Sequence, residues 1–152
     1  MDKMTFLARV EEYHEAGWRL ALINATTIMP GAGEGMEQGA FDVAWAFARG
    51  AEFETIRERI MPGDQMPSIS GSFGAAFLYE NEIRELFGID VTGIGLDLQG
   101  QLYKTATRVP FAPSAIRARL EALGRAEPAA KHAAVAAAPA APAAPATAEK
   151  SV

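Results

Sequence analysis

Cysteine is absent from this chain of 152 residues. That excludes disulfides, and it excludes any iron–sulfur cluster held by thiolates of this chain. Histidine is nearly absent: His14 and His132 are the two present. A histidine-rich zinc site or a Ser-His-Asp triad would have to draw on one of them. Long apolar runs are missing too, and nothing approaches the ~20 residues that a membrane-spanning helix needs. The N-terminal Met-Asp-Lys-Met-Thr-Phe-Leu has no apolar core behind its charges, so it does not read as a signal peptide. Positive charge is in deficit, with 14 basic against 19 acidic residues and a net charge of -5. Without a basic patch, neither nucleic acid nor anionic lipid is an expected direct partner.

What remains is enough for one domain with a real core. Residues 2–16 carry Met4, Phe6, Leu7, Val10 and Tyr13 at helical spacing, and Gly17 stops that helix. Trp18–Ile28 is apolar and rich in β-branched residues, which predicts a strand. Residues 29–39, with one Pro and four Gly, form a loop. Phe41–Arg49 alternates in part and predicts a second strand, and Gly50-Ala51 turns the chain. Phe53–Met61 suits either a third strand or a helix. Pro62-Gly63-Asp64 is a turn, and Pro67 leads into the next helix. Ile89–Gly100 is expected as extended loop, with a short strand over Leu102–Val109. Ser114 is placed to cap a short helix carrying Ile116, Leu120 and Leu123. From Ala126 onward Ala and Pro dominate, with Pro139, Pro142 and Pro145 spaced by three, which favours a disordered, extended tail. The expected architecture is α+β. An N-terminal helix, a small and mainly antiparallel sheet and a helix ending at Gly88 make a domain over 1–125, and 126–152 is a disordered Ala/Pro-rich tail.

The most informative segment is Tyr79–Ile89, Tyr-Glu-Asn-Glu-Ile-Arg-Glu-Leu-Phe-Gly-Ile. At about 100° per residue, Ile69, Phe73, Ala76, Glu80, Ile83 and Phe87 form one apolar stripe with Glu80 in its middle. Tyr79 and Leu86 widen the buried arc. Asn81, Glu82 and Glu85 fall on the side expected to face water, with Leu78 among them. Gly88 supplies the left-handed position that ends many helices, and Gly71 and Gly74 break the helix upstream of Ala75.

Glu80, Glu82 and Glu85 invite an acid/base or metal reading. Their phases oppose it, because Glu80 points away from the other two. Glu82 and Glu85 read as a solvated face. Glu80 reads as structural, since an unpaired buried carboxylate is very costly. Its candidate partners are Arg84, backbone amides, or an arginine of another subunit. An exposed Glu-to-Arg pair at this spacing contributes roughly 0.2–0.5 kcal/mol. The glycine loop at 31–35 precedes a strand and carries Glu34, so it reads as a connection rather than a phosphate cradle. His14 suits the C-terminal end of the first helix, and His132 lies in the tail. No catalytic residue, cofactor site or metal site is assigned.

The same segment resembles the helix motif of the 30 kDa subunit family of respiratory complex I, Trp-aromatic-Glu-Arg-Glu-Val-x-Asp-Leu-Phe-Gly-Ile. Tyr79, Glu80, Glu82, Ile83, Leu86, Phe87, Gly88 and Ile89 match it. Leu78 replaces Trp, Asn81 replaces Arg and Glu85 replaces Asp. Pro67-Ser68-Ile69 and Phe73 fit upstream. The family's Gly-His-Pro-Asp-Leu-Arg-Arg segment is replaced by Thr92-Gly93-Ile94-Gly95-Leu96-Asp97-Leu98. Gly100–Phe111 looks like the shorter members found in energy-converting membrane-bound [NiFe] hydrogenases. This resemblance implies an accessory hydrophilic subunit without a cofactor of its own, peripheral on the cytoplasmic side of the inner membrane. Its partners would be the large nickel-binding subunit and the small iron–sulfur subunit, which carry the [NiFe] centre and the clusters. Integral subunits would link it to the membrane. Leu78, Glu80, Glu82, Arg84 and Glu85 become the candidate docking residues. The alternative within the resemblance is the equivalent subunit of a NADH:quinone oxidoreductase or a formate hydrogenlyase-type complex.

Overall fold

The computed structural model describes residues 2–33 and 39–118. The expected tail over 126–152, the helix residues Leu120 and Leu123, His132 and part of the glycine loop lie outside them. The elements run α1 (Lys3–Glu15), β1 (Arg19–Ile28), β2 (Ala40–Arg49), β3 (Glu52–Ile60), β4 (Gln65–Pro67), α2 (Ala76–Phe87) and β5 (Asp90–Thr92). Residues 114–118 are helical as well. This is the α+β arrangement that the sequence predicts.

Asp2 starts α1 by accepting the amides of Met4 and Thr5 at 3.1 and 3.4 Å, which satisfies two of the free donors of the first turn. The C-terminal end of α1 is held by Arg49. Its Nη1 donates to the carbonyl of Ala16 at 3.2 Å, and its guanidinium lies 4.9 Å from the centre of the Trp18 ring. A cation suits that end of a helix. Met4, expected on the apolar side, is instead exposed, and the buried residues of α1 are Phe6 and Val10.

β1, β2 and β3 form an antiparallel meander in that order. The ambiguous third segment is a strand, because nine of its residues find partners on β2. Ile23, Trp45 and Ile56 stand opposite one another across the sheet and are all buried. They share the inner face with Phe41, Val43 and Phe47. The helices cover this face: Phe6 meets Trp45 at 4.7 Å between ring centres, and Tyr13 stacks on Phe47 at 4.6 Å.

Three expectations after β3 are corrected. Pro67 does not lead straight into a helix. It closes β4, which pairs in parallel with β5, and α2 is the crossover that a parallel pair requires. Ile69 and Phe73 are buried as the stripe predicts, and the helix breaks before Ala76 as Gly71 and Gly74 suggest, leaving them in a turn whose bond runs from Phe73 N–H to the Ile69 carbonyl at 2.9 Å. Residues 102–109 form no strand. The amides of Leu102 and Tyr103 go to the Glu85 carboxylate instead of a neighbouring strand. Ser114 is the first helical residue rather than the cap, since the Pro113 carbonyl already accepts from Arg117 N–H at 2.9 Å.

Candidate functional site: the motif helix and the segment that wraps it

α2 ends as the sequence predicts. Gly88 adopts φ 77°, a left-handed conformation, and its N–H caps the Arg84 carbonyl. Ala76, Ile83 and Leu86 are buried, each large side chain contributing about 1.5–3 kcal/mol by leaving water. Tyr79 is half-buried and donates from its hydroxyl to the Ala21 carbonyl at 3.3 Å. Phe87 lies edge-on to Phe41 at 6.1 Å and tilted against Phe111 at 5.3 Å.

Glu80 is fully buried. Its Oε1 accepts the Ile69 amide at 2.7 Å, and its Oε2 accepts the Ser68 hydroxyl at 2.6 Å. Ser68 has one hydroxyl proton and gives it to Glu80. The 2.7 Å contact between Ser68 Oγ and Ser70 Oγ therefore runs from Ser70 to Ser68. Ser70 Oγ in turn accepts the Gly95 amide at 2.8 Å. A chain of donors thus points from the surface to a buried carboxylate, and hydrogen bonds so aligned strengthen one another. Burial raises the Glu80 pKa above the ordinary carboxylate range, opposed by the bonds from Ser68 and Ile69, which favour the ionised form.

Arg84 is not the partner of Glu80. Its Nη1 lies 2.7 Å from Asp97 Oδ2, in a half-exposed ion pair. The Asp97 pKa is lowered by the Arg84 bond first and by the Gln99 amide second. Of the proposed partners for Glu80, a backbone amide is the one present, joined by a serine that the helical phase gave no reason to expect.

The supposed water-facing side of α2 needs more correction. Asn81 is 1% exposed. Its Nδ2 donates to the carbonyls of Phe77 and Leu96 at 2.7 and 2.8 Å, and its Oδ1 accepts the Leu98 amide at 2.8 Å. Glu85 accepts the amides of Leu102 and Tyr103 at 2.7 and 2.8 Å. Phe111 N–H reaches the Leu86 carbonyl at 2.9 Å. Residues 95–111 therefore wrap the far side of the motif helix, held from Asn81, Arg84, Glu85 and Leu86. Glu82 stands beside Tyr103, whose phenol pKa is raised chiefly by that carboxylate's charge. Leu78, Leu96, Tyr103 and Phe111 stay exposed on and around this wrap, at 46%, 54%, 45% and 54%.

Among the described residues, no cluster of three or more His, Asp or Glu side chains is arranged to hold a metal ion, and no helix is long and apolar enough to cross a membrane. The three motif carboxylates do not converge: Glu80 serves the β4–α2 connection, Glu85 the wrapping segment, and Glu82 the rim.

Fold and site together define a small α+β domain organised around one motif helix. The chain belongs to the family described as the respiratory-chain NADH dehydrogenase 30 Kd subunit, whose model matches residues 4–103. It is thus a subunit of a respiratory-type oxidoreductase complex. No curated protein sequence matches it.

Proposed function

We propose that this chain is the accessory subunit of an energy-converting membrane-bound [NiFe] hydrogenase. In this reading it carries no cofactor and scaffolds the large nickel-binding subunit in the peripheral arm, beside the small iron–sulfur subunit on the cytoplasmic side. The complex couples proton reduction or hydrogen oxidation to ion movement across the membrane.

The observation that carries this reading is the wrap. Gly100–Phe111, the stretch that looks like the hydrogenase members, is held against the motif helix through Glu85 and Leu86. The family motif and the hydrogenase-like stretch therefore make one surface. That surface exposes Leu78, Leu96, Tyr103 and Phe111 with Glu82 among them. Large apolar side chains left exposed on the motif helix and the segment that wraps it suit a protein contact. Glu80 and Arg84 act indirectly, by fixing the connection and the wrap that shape the surface.

The test is purification of the tagged chain from its native membrane. The hydrogenase reading predicts co-purification of a nickel-containing subunit together with hydrogen uptake. Recovery of the chain without either overturns it. The family match favours a second reading, the equivalent subunit of a NADH:quinone oxidoreductase, since the description is of a NADH dehydrogenase subunit. In that case a flavin- and NADH-binding module co-purifies instead, and a formate dehydrogenase marks a formate hydrogenlyase-type complex.

A further inference from the structure

Glu80 is buried, yet an unbroken line of hydroxyl groups joins it to the surface. Its Oε2 accepts from Ser68 Oγ at 2.6 Å, Ser68 Oγ lies 2.7 Å from Ser70 Oγ, and Ser70 Oγ accepts the amide of exposed Gly95 at 2.8 Å. Ser70 itself is half-buried. Glycine keeps this outer end uncrowded, since a Cβ at Gly95 would stand 3.2 Å from Ser70 Oγ.

A hydroxyl has three hydrogen-bonding positions, one donor and two acceptor lone pairs. Ser68 Oγ fills all three, with Glu80 Oε2, Ser70 Oγ and the Ser70 amide at 3.0 Å. Ser70 Oγ fills two, with Ser68 and Gly95, and keeps one spare. When Glu80 is ionised, Ser68 donates to it, Ser70 donates to Ser68, and the spare position of Ser70 is a lone pair. When Glu80 is protonated, it donates to Ser68, Ser68 donates to Ser70, and the spare position is an O–H. The amides of Ser70 and Gly95 keep their acceptors in both states. Each hydroxyl bond of the line thus reverses without being lost.

The groups that hold Glu80 are neutral, Ser68 and the Ile69 amide. The charged side chains of the elements around it are engaged elsewhere. On α2, Arg84 pairs with Asp97, Glu85 holds the wrapping segment and Glu82 stands beside Tyr103. On α1, Glu11 accepts the Ser72 hydroxyl at 2.6 Å, and His14 lies 3.7 Å from Glu11 with its ring edge-on to Phe73. Asp90 of β5 accepts from Gln65 of β4 at 2.8 Å, and Asp42 of the sheet pairs with Arg57. Burial is therefore the leading influence on Glu80 and favours its neutral form, against the bonds from Ser68 and Ile69.

We propose that Ser70, Ser68 and Glu80 form a proton relay, with Glu80 as the proton-binding site at its buried end. A proton from water or buffer joins Ser70 Oγ as the proton of Ser70 passes to Ser68 Oγ and the proton of Ser68 passes to Glu80 Oε2. One O–H bond forms for each that breaks, the donor's included, and the carboxylate becomes a neutral acid. Release runs the same steps backwards. The outer end changes with the load, offering an acceptor when Glu80 is ionised and a donor when it is protonated. The buried acid thereby follows the pH outside without the fold opening. The relay goes beyond the docking role and holds whichever respiratory-type complex contains the chain.

The test is the rate at which Glu80 takes up a proton in the full chain. Infrared spectroscopy after a pH jump reads the protonated carboxyl band, assigned to Glu80 by its loss in Glu80→Gln. Without a relay, a proton reaches a buried carboxylate when the structure opens locally. Exchange of the Ile69 amide, held by the same carboxylate, measures that opening independently. Wild type is expected to load faster than Ile69 opens. Ser70→Ala removes the outer hydroxyl and leaves the exposed Gly95 amide to water. It should slow loading by roughly a hundredfold at a nearly unchanged melting temperature, and Ser70→Thr should restore the rate. A wild-type rate no faster than the opening of Ile69, undiminished loading in Ser70→Ala, or slowing that Ser70→Thr leaves in place overturns the relay. None of these readouts involves nickel, NADH or a partner subunit, so the hydrogenase reading stands or falls separately.

Discussion

Glu80 Oε1 holds the backbone amide of Ile69 at 2.7 Å, across eleven residues of sequence and inside the core. The bond joins the start of the β4–α2 connection to the middle of the motif helix. Isolated turns link the two, and Gly71 and Gly74 lie between them. Such a stretch has little intrinsic reason to hold one conformation, and the carboxylate supplies a fixed point. The most conspicuous acid of the motif therefore positions the backbone.

Glu80→Ala should show this directly. It leaves the buried Ile69 amide and the Ser68 hydroxyl without their acceptor, at about 1–3 kcal/mol each. Glu80→Gln keeps an acceptor for Ile69 and removes the buried charge, and Ser68 can turn its hydroxyl toward Ser70. Chemical denaturation of the isolated chain should therefore rank wild type and Glu80→Gln close together, with Glu80→Ala far below. Equal losses in the two variants would count against a positioning role.

The pH dependence of stability follows from two carboxylates shifted in opposite directions. The Glu80 pKa is raised in the folded protein. Between the ordinary carboxylate value and that raised value, the folded state binds more protons than the unfolded state, so stability falls as pH rises. The Asp97 pKa is lowered. Its contribution is complete above the ordinary value and is lost as pH falls through the lowered one. The two together place a stability maximum near the ordinary carboxylate range. Melting temperatures across pH should show Glu80→Gln flattening the alkaline side and Asp97→Asn the acidic side, the latter weakly because the pair with Arg84 is half-exposed.

Asn81→Leu should loosen the wrap more than the core. Leu approximates Asn in size but leaves the Leu96 carbonyl and the Leu98 amide unpaired, at about 1–3 kcal/mol each if they remain buried. The segment has another response, which is to open toward water. Hydrogen exchange should then rise over residues 95–103 and stay slow in β2. Unchanged exchange at Leu98 would show that Asn81 does not hold the segment.

Much of the fold was legible because the sequence carried local signals for it. Gly17 and Gly88 mark helix ends, and the alternation from Phe41 to Phe47 marks the central strand. The stripe through Ala76, Glu80 and Ile83 gave the buried face of α2 correctly. What was not legible depends on contacts distant in sequence. Helical phase puts Asn81 and Glu85 opposite the core, and that much is right. They are engaged because residues 96–98 and 102–103 return over that side, and no local periodicity encodes the return. For the same reason the parallel pairing of β4 with β5 has no local signal, since three-residue strands carry too few positions to alternate. Arg84 was a reasonable partner for Glu80 on sequence spacing alone, but Asp97 of the wrap claims it.

Gly39 is where the chain re-enters the sheet, and it tests how closely β1, β2 and the 110–118 region fit together. Its φ is +79°, and a Cβ placed there would meet the Ile28 carbonyl oxygen at 2.7 Å and Pro113 Cγ at 3.3 Å. Gly31, at the other end of the same loop, also has a positive φ of +77°, but nothing lies within 4 Å of its Cβ position. Gly31→Ala should thus cost only the left-handed backbone penalty, about 1–2 kcal/mol. Gly39→Ala adds a clash with a backbone atom of β1 that cannot rotate away, and overpacking of this kind adds about 1–3 kcal/mol. Thermal unfolding of the two variants separates the terms: Gly39→Ala should melt several degrees below Gly31→Ala. Equal melting temperatures would mean that Ile28 and Pro113 give way without cost, and that the approach of the 110–118 region to the loop is looser than its contacts imply.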